Sequence, residues 1–124
     1  LVGRAENFIV GRPDLDDVLR RLSAYAEAGA DCLYAPGLQT EAQVRAVVEA
    51  VAPKPVNLLV GTASAWTVAD IAAMGVRRIS VGGALARSAW GGFQRAAELL
   101  AKGRFDGFAD AASGKALNAA FDPR

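Results

Sequence analysis

The sequence has no histidine and a single cysteine, Cys32. Without an imidazole there is no Ser-His-Asp triad, no His-ligated zinc and no histidine acid–base chemistry. One cysteine cannot close an internal disulfide, which fits a reducing, cytoplasmic setting. No apolar run approaches the ~20 residues of a membrane span. A formal net charge of +1 gives no electrostatic reason for nucleic acid or an acidic membrane as partner. Catalysis therefore falls to carboxylates, arginine, backbone dipoles or a borrowed metal. What is present is 124 residues, 52% of them apolar and 22% charged, the balance of one soluble globular domain.

Leu1 and Val2 read as a buried strand with no turn or polar leader before them. The first residues also lack the basic-then-apolar pattern of a signal peptide. Domain ends usually lie in exposed polar segments, so we expect the upstream part of a larger protein to be missing.

Short apolar runs alternate with longer helical patterns. Strands are predicted over Leu1–Ala5, Cys32–Ala35, Val56–Val60 and Arg78–Val81. Leu15, Val18, Leu19, Leu22 and Ala26 have helical spacing, with Asp14 as N-cap and Gly29 as the stop. Thr40 with Gln43 predicts a capping box for a second helix bearing Val44, Val47, Val48 and Val51. Thr67 with Asp70 opens a short third helix. A long fourth runs from about Ala84 to Lys102, weakened at Gly91-Gly92. The tail over 104–124, with Phe105, Phe108 and Phe121, reads as loosely helical. Gly29 and Gly37 bracket the second strand as Gly75 and Gly83 bracket the fourth.

Four strand–helix repeats with short linkers predict a parallel sheet with right-handed crossovers. Units this tight suit a (β/α)8 barrel, which typically needs about 250 residues. Residues 1–103 therefore read as half a TIM barrel of four βα units, followed by the tail.

In a barrel, chemistry gathers at the carboxyl ends of the strands. That rule selects Arg4, Glu6 and Asn7 after the first strand, and Pro36, Gly37 and Gln39 after the second. The third supplies Asn57, Thr62 and Ser64, and the fourth Ser80, Gly82 and Gly83. Arg4 can grip a carboxylate or phosphonate through two parallel hydrogen bonds, or form a structural ion pair with Glu6. Glu6 supports Arg4 or acts as an acid–base group. Asn57 is polar inside an apolar strand, so it contacts a ligand or joins an interior network. Gly82 and Gly83 precede a helix and form a candidate anion site, or simply a tight turn. Cys32 reads as a small core residue, and Trp66 and Trp90 as packing or interface anchors.

The run Val2-Gly3-Arg4-Ala5-Glu6-Asn7-Phe8 resembles the fifth-strand Ala-Arg-Thr-Asp/Glu motif of the isocitrate lyase and phosphoenolpyruvate mutase superfamily. Ala26 to Asp31 is similar to that family's lead into strand six, Pro55-Val56-Asn57 to strand seven, and Met74 to Gly82 to strand eight. The resemblance covers nearly the whole chain up to the tail, and its strength lies in the ordered set rather than in any one piece. It implies the carboxyl-terminal half of the barrel, strands five to eight. It further implies a Mg2+-dependent enzyme that makes or breaks C–C or P–C bonds of 2-oxo or 2-hydroxy acids through an enolate-like anion. On this carry-over Arg4 matches the substrate-binding arginine and is the expected catalytic residue, and Glu6 falls at the acidic position. Pro36 replaces the glutamate of the lyases' Pro-Glu-Ala-Leu run. Leu58-Leu59-Val60 stands where those members have an Asn-Ile-Thr-like run. Both departures point away from isocitrate or methylisocitrate cleavage, towards the branch named for carboxyphosphonoenolpyruvate mutase.

The family's acidic metal motif and catalytic lysine–cysteine loop belong to its first four strands. The resemblance thus implies Mg2+ bound mainly by residues outside this chain, and a polypeptide inactive by itself. It also implies a small oxyacid substrate and a homo-oligomer formed through the last helix and tail, or a missing amino-terminal half as partner. Two other readings remain. One is a phosphate-binding aldolase or isomerase barrel, resting on Val81-Gly82-Gly83. The other is a non-catalytic half-barrel assembly module, since four strands leave two sheet edges open.

Overall fold

The computed structural model describes residues 1–122. Its elements alternate as the sequence predicts: β1 (Val2–Arg4), α1 (Leu15–Glu27), β2 (Cys32–Tyr34), α2 (Glu41–Ala50), β3 (Val56–Leu59), α3 (Val68–Ala73), β4 (Arg78–Ser80) and α4 (Ala84–Leu100). A 3-10 turn (Asp106–Phe108) and α5 (Gly114–Phe121) follow. Each strand lies parallel beside its sequence neighbour, giving one sheet in the order β1-β2-β3-β4. This is an α/β fold built from consecutive βα units.

The strands are shorter than the apolar runs, but the pairing extends beyond their ends. Leu1 O accepts from Asp31 N (2.8 Å), and Ala5 N donates to Tyr34 O (3.0 Å). The run predicted over Leu1–Ala5 therefore marks the bonded segment, while only its centre has full ladder geometry.

The chain divides into two compact units, Leu1–Ala84 and Leu85–Arg124. In the first, strand alternation sorts side chains between two faces. Leu33, Val56 and Leu58 point to the helices and are buried with Val18 and Leu22 of α1, Val44 and Val47 of α2 and Ile71 of α3. Fully burying such a side chain is worth about 1.5–3 kcal/mol. Gly3 lies on this face because α1 comes too close for a side chain: a Cβ there would meet the Tyr25 Cβ at 2.9 Å.

The other face carries Arg4, Tyr34, Asn57, Leu59, Arg78 and Ser80, as the register Arg4↔Tyr34, Tyr34↔Asn57, Asn57↔Arg78 and Leu59↔Ser80 requires. It is predominantly polar, and Arg4 and Arg78 are exposed on it.

Helix starts follow their side-chain caps. Asp14 accepts from Asp17 N (3.0 Å) at α1, and Thr40/Gln43 and Thr67/Asp70 form full capping boxes at α2 and α3. The hydroxyl and backbone N–H of Thr67 both donate to Asp70 and hold its carboxyl below the usual range.

In the second unit, α4 runs unbroken through Gly91-Gly92, where the sequence predicts weakness. The Arg95 side chain folds back over these glycines, its guanidinium 3.3 Å from where a Gly91 Cβ would stand. Trp90 and Phe93, one turn apart, pack edge to face with centroids 5.4 Å apart. Gly107 lets the 3-10 turn approach α4, since a Cβ there would lie 2.9 Å from the Ala96 Cα. Ser113 caps α5 by accepting from Ala116 N (3.1 Å). The tail predicted over 104–124 is thus helical in two short pieces, and Pro123 and Arg124 lie outside the described residues. No helix among the described residues is long and apolar enough to cross a membrane.

Candidate functional site

Arg4 ends β1 on the polar face, where two groups hold its guanidinium. Glu6 pairs with Nε at 2.5 Å, and the Tyr34 ring lies beneath the guanidinium carbon at 5.0 Å from its centroid. The ion pair is half-exposed, so its contribution to stability is small. Its effect is on geometry: Nε is engaged by Glu6 and one face of the guanidinium by the ring. Of the two alternatives that the sequence left for Arg4, the ion pair with Glu6 is the one observed.

Asn57 is 1% exposed in the middle of β3. Its Nδ2 donates to Ser80 Oγ (2.9 Å), while Oδ1 is buried without a hydrogen-bond partner among the described residues. A buried amide end left unsatisfied costs about 1–3 kcal/mol. Arg4 and Asn57 lie two strands apart, each beside Tyr34 in register, which puts their backbones roughly 10 Å apart. No described bond joins them; they share one sheet face. Gly82 (φ +51°) and Gly83 form the turn from β4 into α4, with Gly82 backing onto Leu59. No described bond links either glycine to Arg4, Glu6 or Asn57. Cys32 is half-buried on β2, and Thr62 and Ser64 are exposed beside a cavity of about 200 Å3 that Gln39 and Trp66 also line.

Two contacts were not read from the sequence. Tyr34 lies two residues after Cys32, so alternation alone places it on the Arg4 face once the register is known. Asn7 was singled out, but its partner was not: Asn7 Nδ2 donates to Asp17 Oδ2 (2.6 Å) on α1. Asp17 also takes Arg21 Nε on that oxygen (2.5 Å) and Arg20 on the other. The bond from Arg21, then that from Asn7, hold the Asp17 carboxyl down at about 2 from its ordinary 3.8. A carboxyl depressed in the fold stabilises it above the unfolded value and loses that contribution as pH falls through the folded value. Asp17→Asn is therefore expected to be less stable than the parent above pH 3.8, with the gap closing towards pH 2. Urea melts at a series of pH values test this, and a gap independent of pH would contradict it.

Gly37, after β2, has φ +92°, and an added Cβ would meet the Phe8 Cβ at 2.7 Å. Glycine here lets the β2–α2 loop pass against the β1–α1 loop. Gly37→Ala is expected to cost about 1–3 kcal/mol from backbone strain and the clash. A thermal melt reads this, and an unchanged midpoint would mean that the loop yields.

No group of three or more His, Cys, Asp or Glu side chains among the described residues is placed to hold an ion. Glu6 is engaged by Arg4, and Asp17 by two arginines and Asn7. The described residues do not fit a Mg2+ site of their own.

The model of the phosphoenolpyruvate phosphomutase family matches residues 1–101. The chain belongs to that family. Among solved structures it is similar to a candidate lyase/mutase from Burkholderia cenocepacia J2315, with 46% identity, a TM-score of 0.90, and coverage of 99% of this chain and 45% of that one. It is also similar to a phosphoenolpyruvate phosphomutase from Streptomyces platensis subsp. rosaceus, at 25% identity and TM-score 0.75, covering 98% of this chain and 42% of the other. A 2,3-dimethylmalate lyase of the PEP mutase/isocitrate lyase superfamily shares the fold, at 22% identity and TM-score 0.76, over 95% of this chain and 42% of that one. No curated protein matches the chain. The chain spans less than half the length of each of these relatives. The superfamily resemblance carried by the Gly3-Arg4-Ala5-Glu6 run and the later strands is the right one, and the family is one of enzymes.

Proposed function

We propose that this chain forms the carboxyl-terminal half, strands five to eight, of a TIM-barrel lyase or mutase. The enzyme makes or breaks C–C or P–C bonds of 2-oxo or 2-hydroxy acids. The observation that carries the reading is Arg4: at a strand's carboxyl end, on the open polar face, pre-oriented by Glu6 and Tyr34. A guanidinium held this way takes a carboxylate through two parallel hydrogen bonds and neutralises negative charge that develops beside it. Glu6 positions Arg4, and the unpaired Oδ1 of Asn57 accepts from a hydroxyl of the bound acid. Gly82 and Gly83 offer backbone N–H groups to its anionic end. Mg2+, which the superfamily resemblance implies, belongs to residues outside this chain, and the chain alone is inactive. The exposed apolar side chains of α4, Leu85, Trp90 and Phe93, together with Phe105 and Phe108, are where a second copy of the chain or the other half of the barrel docks.

The test is oxyacid binding by the natural polypeptide as its source makes it, followed by calorimetry with Mg2+ present. Oxalate, which mimics a pyruvate enolate, is expected to bind, and glycerol 3-phosphate is not. Binding of the phosphate ester alone would overturn the reading in favour of a phosphate-gripping aldolase or isomerase.

A further inference from the structure

Arginine has many rotamers, and the Arg4 and Glu6 side chains are each 47% exposed, so beyond the Tyr34 ring under Arg4 the position of the pair depends on where Glu6 is held. What sets the Glu6 carboxylate is the path of the β1–α1 loop. That loop is poorly buried: Ile9 and Val10 are 50% and 59% exposed. A cavity of about 240 Å3 lies against it, with Glu6, Asn7, Arg12, Asp14, Asp17 and Arg21 among its walls. Apolar packing on the loop comes from Phe8, which lies against the core, and from Phe8 and Ile9 beside Gly37.

Polar bonds do the rest. Glu6 O accepts from Ile9 N (3.0 Å) and Val10 N (3.2 Å), and Asn7 O accepts from Arg12 N (2.9 Å), which makes the loop one closed turn. Among the described residues a single side-chain bond ties that turn to α1: the one from Asn7, 8% exposed, to Asp17. Asp17 in turn is fixed by Arg20 and Arg21 on its own helix. The residue next to Glu6 is therefore anchored to the rigid scaffold, with open space beside it.

We propose that Asn7 and Asp17 are positioning residues whose hydrogen bond fixes the β1–α1 loop to α1 and so sets where Glu6 holds the Arg4 guanidinium for an oxyacid carboxylate. The inference rests on the reading of Arg4 given above. Recognition through two parallel hydrogen bonds tolerates little displacement, and a misplacement of about 1 Å in a positioning group costs on the order of a hundredfold in rate. The clamp acts through Glu6 without touching the acid.

The experiment is a double-mutant cycle on the natural full-length polypeptide, read by oxalate calorimetry into the millimolar range. Asn7→Ala is expected to bind oxalate about tenfold more weakly than the parent. In an Arg4→Ala background the same substitution is expected to cause no further loss, because there is no guanidinium left to misplace. A general loosening of the fold would instead lower binding by the same factor in both backgrounds, and that result overturns the clamp. So does Asn7→Ala binding like the parent while Arg4→Ala is weakened. Oxalate binding unchanged in Arg4→Ala would overturn the Arg4 reading and the clamp with it. Asp17→Ala breaks the same bond from the helix side. It is expected to reproduce the cycle, and serves where Asn7→Ala does not fold.

Discussion

Arg4→Ala is expected to weaken oxalate binding by the natural polypeptide about 10²–10³-fold while leaving its melting temperature nearly unchanged. The two parts of this expectation have separate causes. The loss of binding follows from removing a pre-oriented donor pair from the place where negative charge is met, an interaction of that size when the site is shielded from water. The small change in stability follows from the Arg4–Glu6 pair being half-exposed on both sides, so that its net worth is about 0–1 kcal/mol. Arg4→Lys separates charge from shape. It keeps the cation but loses the planar fork and its fit over Tyr34, and about a tenfold loss is expected. Calorimetry reads the affinity and a thermal melt the stability. An Arg4→Ala protein that binds oxalate as the parent does would remove Arg4 from the site. One that unfolds would make the residue structural.

How far the sequence reaches is clearest at the caps and the strand ends. Thr40 with Gln43 and Thr67 with Asp70 encode their boxes within four residues, so local chemistry suffices, and both are found. The parallel order of the strands follows from crossover length and handedness, and it too is found. Arg4 and Glu6 were legible as a pair because they are two residues apart at a strand end. The ring under Arg4 was not, because Tyr34 is thirty positions away and meets it only through the β1–β2 register. Asn7 and Asp17 fail for the same reason: an asparagine in a loop and an aspartate in a first helical turn each look locally satisfied. The long helix predicted from about Ala84 is found running through Gly91-Gly92, where the Arg95 side chain folds over the space the glycines leave.

Asn57→Leu is expected to raise stability and lower affinity at once. Leucine nearly matches asparagine in shape, and β3 already carries Leu58 and Leu59. The substitution removes a buried amide of which one end bonds Ser80 and the other has no partner. Ser80 is only half-buried, so its hydroxyl turns to water when the amide is gone. Losing an unsatisfied buried group without leaving a new one is stabilising by about 1–2 kcal/mol. That corresponds to a rise of several degrees in melting temperature for a domain of this size. The unpaired end is Oδ1, an acceptor, so in the proposed site it meets the hydroxyl of a 2-hydroxy acid, and losing it is expected to weaken glycolate binding about tenfold or more while leaving oxalate, which has no donor, unaffected. The pairing of the two effects carries the argument. A residue kept for packing loses stability when replaced, whereas one kept at a cost to the fold gains it and loses function. Were Asn57→Leu less stable than the parent with glycolate binding intact, the amide would belong to an interior network that the fold needs, and Asn57 would leave the site.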